Sequence, residues 1–410
     1  MPKENFPPPP ATFLLVTYPV IVSSIYLASC FLNVTQDSIP CVLPPPTFLV
    51  FSLNALVLLL SALSFPVVRN RNTPLIRTLF PNFHGRRSRG RDVWQALQLN
   101  PVIFWYMTGD TPETLEVVVA KIYGEVTLPR HWPRTPRTDR RRRCILDVRN
   151  RVLLVFIWLR QYLKLHVLAY IFCISKSTVA EEIYHIVPIL FTNYRRFIKW
   201  HSIRGWNQFL DTFPSFPNAV GMIDGTIHRI SRPSGPLQAE FYRGDKRCHF
   251  ISSQIVVDAD GLIVLLVTGY SINRLLWTKL FLAWTTTTIV PYRFPGHMND
   301  AQCYRSLPQV GHGRARDLPR RARILADGGY AARVPVITPR RIARNRRQLQ
   351  ANRALRSLRM QIEHSIGFQK VYASINSIFR HKRSFLPFVV CTCGFLSNRR
   401  KLIIRRLRRL

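Results

Sequence analysis

Ala219-Val220-Gly221-Met222-Ile223-Asp224-Gly225-Thr226-Ile227-His228-Arg229-Ile230 is an apolar run with Asp-Gly-Thr set in its middle. The run has the composition of a buried strand, and an acidic residue on such a strand costs several kcal/mol unless something pairs with it. A metal ion is a suitable partner. Arg323-Ile324-Leu325-Ala326-Asp327-Gly328-Gly329-Tyr330 repeats the form: a short apolar strand ending in an aspartate and two glycines. Glu363 follows 36 positions beyond Asp327, within a helix-compatible run from Gln350 to Ile375.

Between these blocks, His249 to Val257 and Leu262 to Thr268 are β-rich and joined through Asp258-Ala259-Asp260-Gly261. An Asp-Gly pair between two such segments is a hairpin signal, so Asp258 and Asp260 are turn residues rather than ligands. That leaves two aspartates at strand ends and a glutamate from a helix. Such a set can converge on two hard divalent ions, which take oxygen ligands and clamp both oxygens of an in-line phosphoryl displacement. On the Glu363 helix, Arg359 at i−4 and Lys370 at i+7 share a face with the glutamate. One of these cations can orient the carboxylate while the other holds a DNA phosphate.

The whole chain agrees with a polyanionic partner. Its 410 residues leave room for two or three domains. Lys and Arg total 59 against 21 Asp and Glu, a formal net charge of +38. A surface of that sign gives strong, salt-sensitive affinity for phosphate backbones, although charge alone does not separate nucleic acid from a ribosome-like role or anionic lipid. The eight cysteines form no CxxC pair, so neither a zinc site nor a disulfide framework is indicated. Cys391 and Cys393 lie in an apolar run and read as core.

Residues 1–70 form an apolar N-terminal segment. Thr12 to Gln36 and Phe48 to Val68 carry no charge and reach the length that crosses a bilayer, with Arg69, Arg71 and Arg77 following. Two readings stay open here: a transmembrane hairpin over residues 12–68, or an apolar extension arising from the assigned gene start. Residues 71–150 read as basic linkers, including Arg140 to Arg143, around a helical stretch from Asp92 to Tyr123.

Residues 151–205 read as successive helices. Val152 to Leu163 is apolar at helical spacing, Leu165 to Phe172 is a short helix, and Cys173-Ile174-Ser175 leads into another. Ser175 or Ser177 can cap that helix, and Glu181 or Glu182 can complement its positive end. Lys176, Ser177 and Thr178 then stand at the start of a recognition helix, the place that meets DNA. A plain helical hairpin is the alternative.

Three blocks together resemble the signature blocks of PIF/Harbinger-type transposases in the DDE endonuclease superfamily: Gly221 to Thr226, Leu325 to Tyr330, and Arg359 to Gly367. Gly296-His-Met-Asn-Asp300 resembles a further block. Arg359, Glu363 and Lys370 match the family's Arg, Glu, Lys spacing, Ile174 to Val179 resembles its helix-turn-helix, and Leu396-Ser-Asn398 stands where Leu-His-Asn is frequent. The tyrosine often found two residues before the arginine is absent. Residues 271–294 look like an insertion in a DDE domain spanning 215–400, and residues 1–70 match nothing in the family.

The resemblance implies an α/β fold: an RNase H-like core with a mixed sheet flanked by helices, preceded by an all-helical helix-turn-helix region. It implies Asp224, Asp327 and Glu363 as the catalytic, metal-binding triad, with Asp300 as an additional or alternative ligand. The cofactor would be Mg²⁺ or Mn²⁺, and water or a DNA 3′-hydroxyl would be the nucleophile. DNA-binding residues would be Lys176, Ser177, Thr178, Arg359 and Lys370. Location in the nucleus, a separate DNA-binding partner protein and a homo-oligomer accompany that reading. The alternatives are a catalytically inactive, domesticated or decayed transposase that binds DNA, and a membrane-tethered basic protein.

Overall fold

A computed structural model describes residues 90–128, 146–235, 238–269, 295–307, 310–330 apart from 312 and 315, and 334–407. The apolar runs of residues 12–68, Arg140 to Arg143 and the expected insertion at 271–294 lie outside the described residues. No helix among the described residues is long and apolar enough to cross a membrane.

The N-terminal described part is helical because polar caps recur at short intervals. Asp92, Asn100 and Thr111 accept from backbone N–H groups at the starts of α1 (Val93–Gln98), α2 (Pro101–Thr108) and α3 (Pro112–Thr127). These caps satisfy donors that the first helical turn leaves unpaired. Asp147 does the same for α4 (Val148–Gln161). Residues 152–159 of α4 are buried all round, so this helix is the hub of the helical layer rather than an amphipathic surface element. Asn150 fastens α1 to it, accepting from Val93 N and Trp94 N at 2.9 Å each.

Next comes α5 (Leu165–Phe172), closed by Cys173 in the left-handed region at φ 51°. Ser175 caps α6 (Lys176–Tyr194), giving the sharp connection of a helix-turn-helix. Glu182 does not serve the positive end of α6. It is buried in an ion pair with Arg151 of α4, 2.8 Å apart, and Arg151 also donates to Val126 O at 2.8 Å. A second turn of helix carries Glu182 inward, away from the dipole end.

After the short α7 (Ile203–Asn207), the chain enters a mixed sheet. Strand β1 (Ala219–Arg229) runs antiparallel to β3 (Cys248–Asp258), which pairs antiparallel with both β2 (Tyr242–Arg243) and β4 (Ile263–Thr268). On its other side β1 is parallel to β5 (Arg323–Leu325), and β5 to β6 (Val336–Ile337). An antiparallel half joined to a parallel half through the first strand is an RNase H-like arrangement. The expected hairpin turn is present: Gly261 takes φ +72°, and Asp258 Oδ1 accepts from Leu262 N at 2.8 Å.

Three further helices pass beside the sheet or cap its loops: α8 (Gln238–Phe241), α9 (Asp300–Arg305) and α10 (Arg346–Lys370). The sequence pattern extends α10 to Ile375, whereas the helix stops at Lys370 and α11 (Ala373–Asn376) starts afresh. Tyr372 is fully buried at that break, so a core contact redirects the chain where periodicity alone continues it. The last helix, α12 (Leu386–Leu407), carries Cys391 and Cys393 in the core, where burial pushes both thiols up, Cys391 to about 12. Asn398 of α12 finishes the sheet: its Oδ1 accepts from Ile263 N at 3.0 Å and its Nδ2 donates to Ile263 O at 2.7 Å. A side-chain amide thereby stands in for a neighbouring strand.

Candidate active site

The parallel pairing of β1 with β5 sets the first two carboxylates side by side. Met222 lies opposite Leu325, so Asp224 and Asp327 each sit two residues further along adjacent strands. Asp224 is mid-strand, its Oδ1 accepting from Gly225 N at 2.8 Å. Asp327 lies just past β5 and accepts from Gly328 N.

Asp300 approaches the same strands on the Gly225 side. Gly225 points away from the Asp224 face, and a Cβ placed there would lie 2.1 Å from Asp300 Oδ1. The absent side chain is therefore a window through which the Asp300 carboxylate enters the strand layer. Its position is set by α9, whose start carries the Asn299 and Gln302 capping box, and by Gln254 Nε2, 3.3 Å from Asp300 Oδ1. Gln254 is itself held by the Tyr330 hydroxyl, which donates to its Oε1 at 2.6 Å. Gln254 and Tyr330 are positioning residues that motif reading overlooks. A signal for Gln254 was present: Ser252-Ser253-Gln254 interrupts the otherwise apolar, buried run from Phe250 to Val257.

Arg359 of α10 lies between the first two aspartates, with Nη2 3.2 Å from Asp224 Oδ2 and Nη1 3.4 Å from Asp327 Oδ1. Even so, burial pushes the Asp224 carboxyl up to about 6; Arg359 opposes that rise, while Asp300 and Asp327 add to it. Arg359 Nε and Thr226 Oγ1 are buried without a hydrogen-bond partner among the described residues. Glu363 lies one helical turn beyond Arg359, exposed, and makes no ion pair or hydrogen bond among the described residues. Lys370 lies near the far end of β1, where its charge helps lower the pKa of the buried His228.

The structure thus brings Asp224, Asp300, Asp327 and Arg359 together and leaves Glu363 at the rim. Three clustered carboxylates offer hard oxygen donors of the kind Mg²⁺ and Mn²⁺ take, and the excess negative charge suits a cation. As arranged, no trio of His, Cys, Asp or Glu among the described residues is spaced to hold a metal ion, and the cation between Asp224 and Asp327 is the Arg359 guanidinium.

In the helix-turn-helix, Lys176 and Ser177 are exposed and Thr178 is half-buried. The two hydroxyls join the Ser175 cap, at 2.7 Å for Ser177 and 2.9 Å for Thr178. The Lys176 ammonium stands free of that network.

Comparison with known families agrees with this division. Residues 144–195 match the helix-turn-helix of DDE superfamily endonuclease, and residues 284–398 match the DDE superfamily endonuclease. The two matches fall in the expected order along the chain, helix-turn-helix before nuclease region. Lys176, Ser177 and Thr178 fall in the first match; Asp300, Asp327, Arg359, Glu363 and Lys370 fall in the second; Asp224 precedes it. No curated protein and no solved structure matches the chain.

Proposed function

We infer that this chain is a metal-dependent DNA endonuclease of the transposase type, in the PIF/Harbinger group, acting in the nucleus. The observation that carries this reading is the meeting of Asp224 and Asp327 on the Arg359 guanidinium, with the Asp300 carboxylate set against Gly225 next to Asp224. Asp224, Asp327 and Asp300, with Glu363 from the rim, would hold Mg²⁺ or Mn²⁺. Bound there, the metal supplies electrophilic stabilisation of the phosphoryl oxygens and a more acidic attacking water or 3′-hydroxyl.

The chain's own residues do the positioning. Arg359 fixes the Asp224 and Asp327 carboxylates across the strand pair, and the Tyr330–Gln254 relay fixes Asp300. Lys176, Ser177 and Thr178 present the recognition helix to DNA, and Lys370 adds positive charge on the helix that bears Glu363.

A second reading is a catalytically inactive DNA-binding protein of the same descent. It is favoured by Arg359 standing where a cation belongs and by the unpaired Glu363. Nicking of supercoiled plasmid in Mn²⁺ separates the two, run on the full chain beside Asp327→Ala and Glu363→Ala. Cleavage by the parent and loss in both variants supports the nuclease. No cleavage, with salt-sensitive DNA binding retained, supports the binder.

A further inference from the structure

The segment between Asp327 and Glu363 contains nine arginines and no acidic residue. Arg346, Arg347, Arg353 and Arg356 of α10 are exposed, as are Arg340, Arg341 and Arg344 in the loop before it. None of these seven guanidinium groups makes an ion pair or hydrogen bond among the described residues. Elsewhere the chain does spend its arginines on carboxylates, as in Arg151–Glu182, Arg399–Asp110 and Arg243–Asp245. Seven such arginines fall between Arg340 and Arg356, a dense run in one stretch of chain.

That stretch is also pre-arranged. Asn352 clamps the loop against the helix, accepting from Arg340 N at 2.9 Å and donating to Arg340 O at 2.8 Å. Gln348 accepts from Arg344 N at 2.8 Å. Along α10, Arg346, Arg353, Arg356 and Glu363 fall within an arc of roughly 100° on one side. The stripe is about 26 Å long at 1.5 Å per residue. At 3.4 Å per phosphate along one strand, that equals roughly eight base pairs.

We propose that this arginine arm grips the phosphate backbone of duplex DNA beside the bond to be cut, leading the strand along α10 to the carboxylate centre. The choice of DNA rests on the nuclease reading; the grip on a polyanion rests on the arm itself. The exposed large apolar residues of the segment, Val334, Ile342, Leu349 and Met360, are scattered along it, a pattern unlike the continuous apolar face that enters lipid.

The test is equilibrium binding of the full chain to a 30-base-pair duplex of arbitrary sequence, in EDTA, across a series of salt concentrations. The parent is compared with the chain in which Arg346, Arg347, Arg353 and Arg356 are each replaced by Gln. Because each phosphate contact contributes about 0.9 to the slope of log K against log salt, the slope should become shallower by about 3 to 4. An unchanged slope overturns the proposal, and so does an arm-dependent slope found only with the RNA duplex of the same sequence. A second measurement uses the unaltered chain: phenylglyoxal labelling with and without duplex should show Arg353 and Arg356 protected by DNA, and equal labelling overturns the proposal. Neither measurement involves cleavage. An inactive carboxylate centre would sink the nuclease reading alone, and cleavage with an unchanged slope would sink the arm alone.

Discussion

The Arg359 guanidinium bridges Asp224 and Asp327, Nη2 to Oδ2 at 3.2 Å and Nη1 to Oδ1 at 3.4 Å, so a helix side chain balances charge that two neighbouring strands bring together. Arg359 and Asp224 are both largely shielded from solvent, with 14% and 16% of their side chains exposed. Removing the arginine leaves the inner carboxylate without its counter-charge.

Arg359→Gln should therefore lower stability in EDTA by about 1 to 3 kcal/mol, the cost of an unsatisfied, partly buried charged group. Millimolar Mn²⁺ should restore the variant's unfolding temperature by more than it raises the parent's, because a cation can then take the vacated position. Equal Mn²⁺ shifts in the two proteins would count against Arg359 and metal sharing one place.

Gly225→Ala introduces a methyl 2.1 Å from Asp300 Oδ1 and 3.1 Å from Gln254 Nε2. Something must shift, and Asp300 at the start of the short α9 is the less anchored partner. The expected result is loss of metal-dependent nicking with far-UV circular dichroism unchanged. Retained nicking would mean that Asp300 is not needed at the centre.

His228 is fully buried, and burial holds its pKa down to about 4 from an ordinary 6.5. Its Nδ1–H donates to Ile375 O at 3.1 Å, so the neutral ring's Nε2 accepts from the Ser253 hydroxyl at 3.0 Å. Above pH 6.5 both folded and unfolded chains carry a neutral imidazole. As pH falls from 6.5 towards 4, only the unfolded chain gains the proton, so stability is lost by about 3 kcal/mol over that window. Denaturant titrations of the parent and His228→Gln at pH 7 and 5 should show a smaller pH effect in the variant; parallel behaviour would refute this account.

Arg151 and Glu182 form a buried pair between α4 and α6. Glu182→Gln alone should destabilise by about 3 to 5 kcal/mol, since the arginine is left charged and buried. Replacing both by Met should recover much of that loss. If the single and double variants unfold at the same denaturant concentration, the pair is not what joins the helix-turn-helix to α4.

Much of the local structure was legible in the residues. The boundaries of α5, the Ser175 cap, the β3–β4 turn at Gly261 and the strand character of β1 follow from propensity, capping and turn chemistry, which act over a few positions. Glu182, one of the two acids offered for the start of α6, and the end of α10 depart from the local pattern for one reason. Burial against distant elements overrode the local rule, through Arg151 in one case and Tyr372 in the other.

By itself the sequence determined the main strands and helices, which acidic residues stand out of place in apolar runs, and a strongly basic charge. The tertiary structure alone decided which of those acids meet. Parallel pairing of β1 with β5 aligns Asp224 with Asp327, the missing side chain of Gly225 admits Asp300, and α10 supplies a cation from 135 positions away in the chain. Coulomb interactions depend on distance in space, and sheet order, not spacing along the chain, sets that distance.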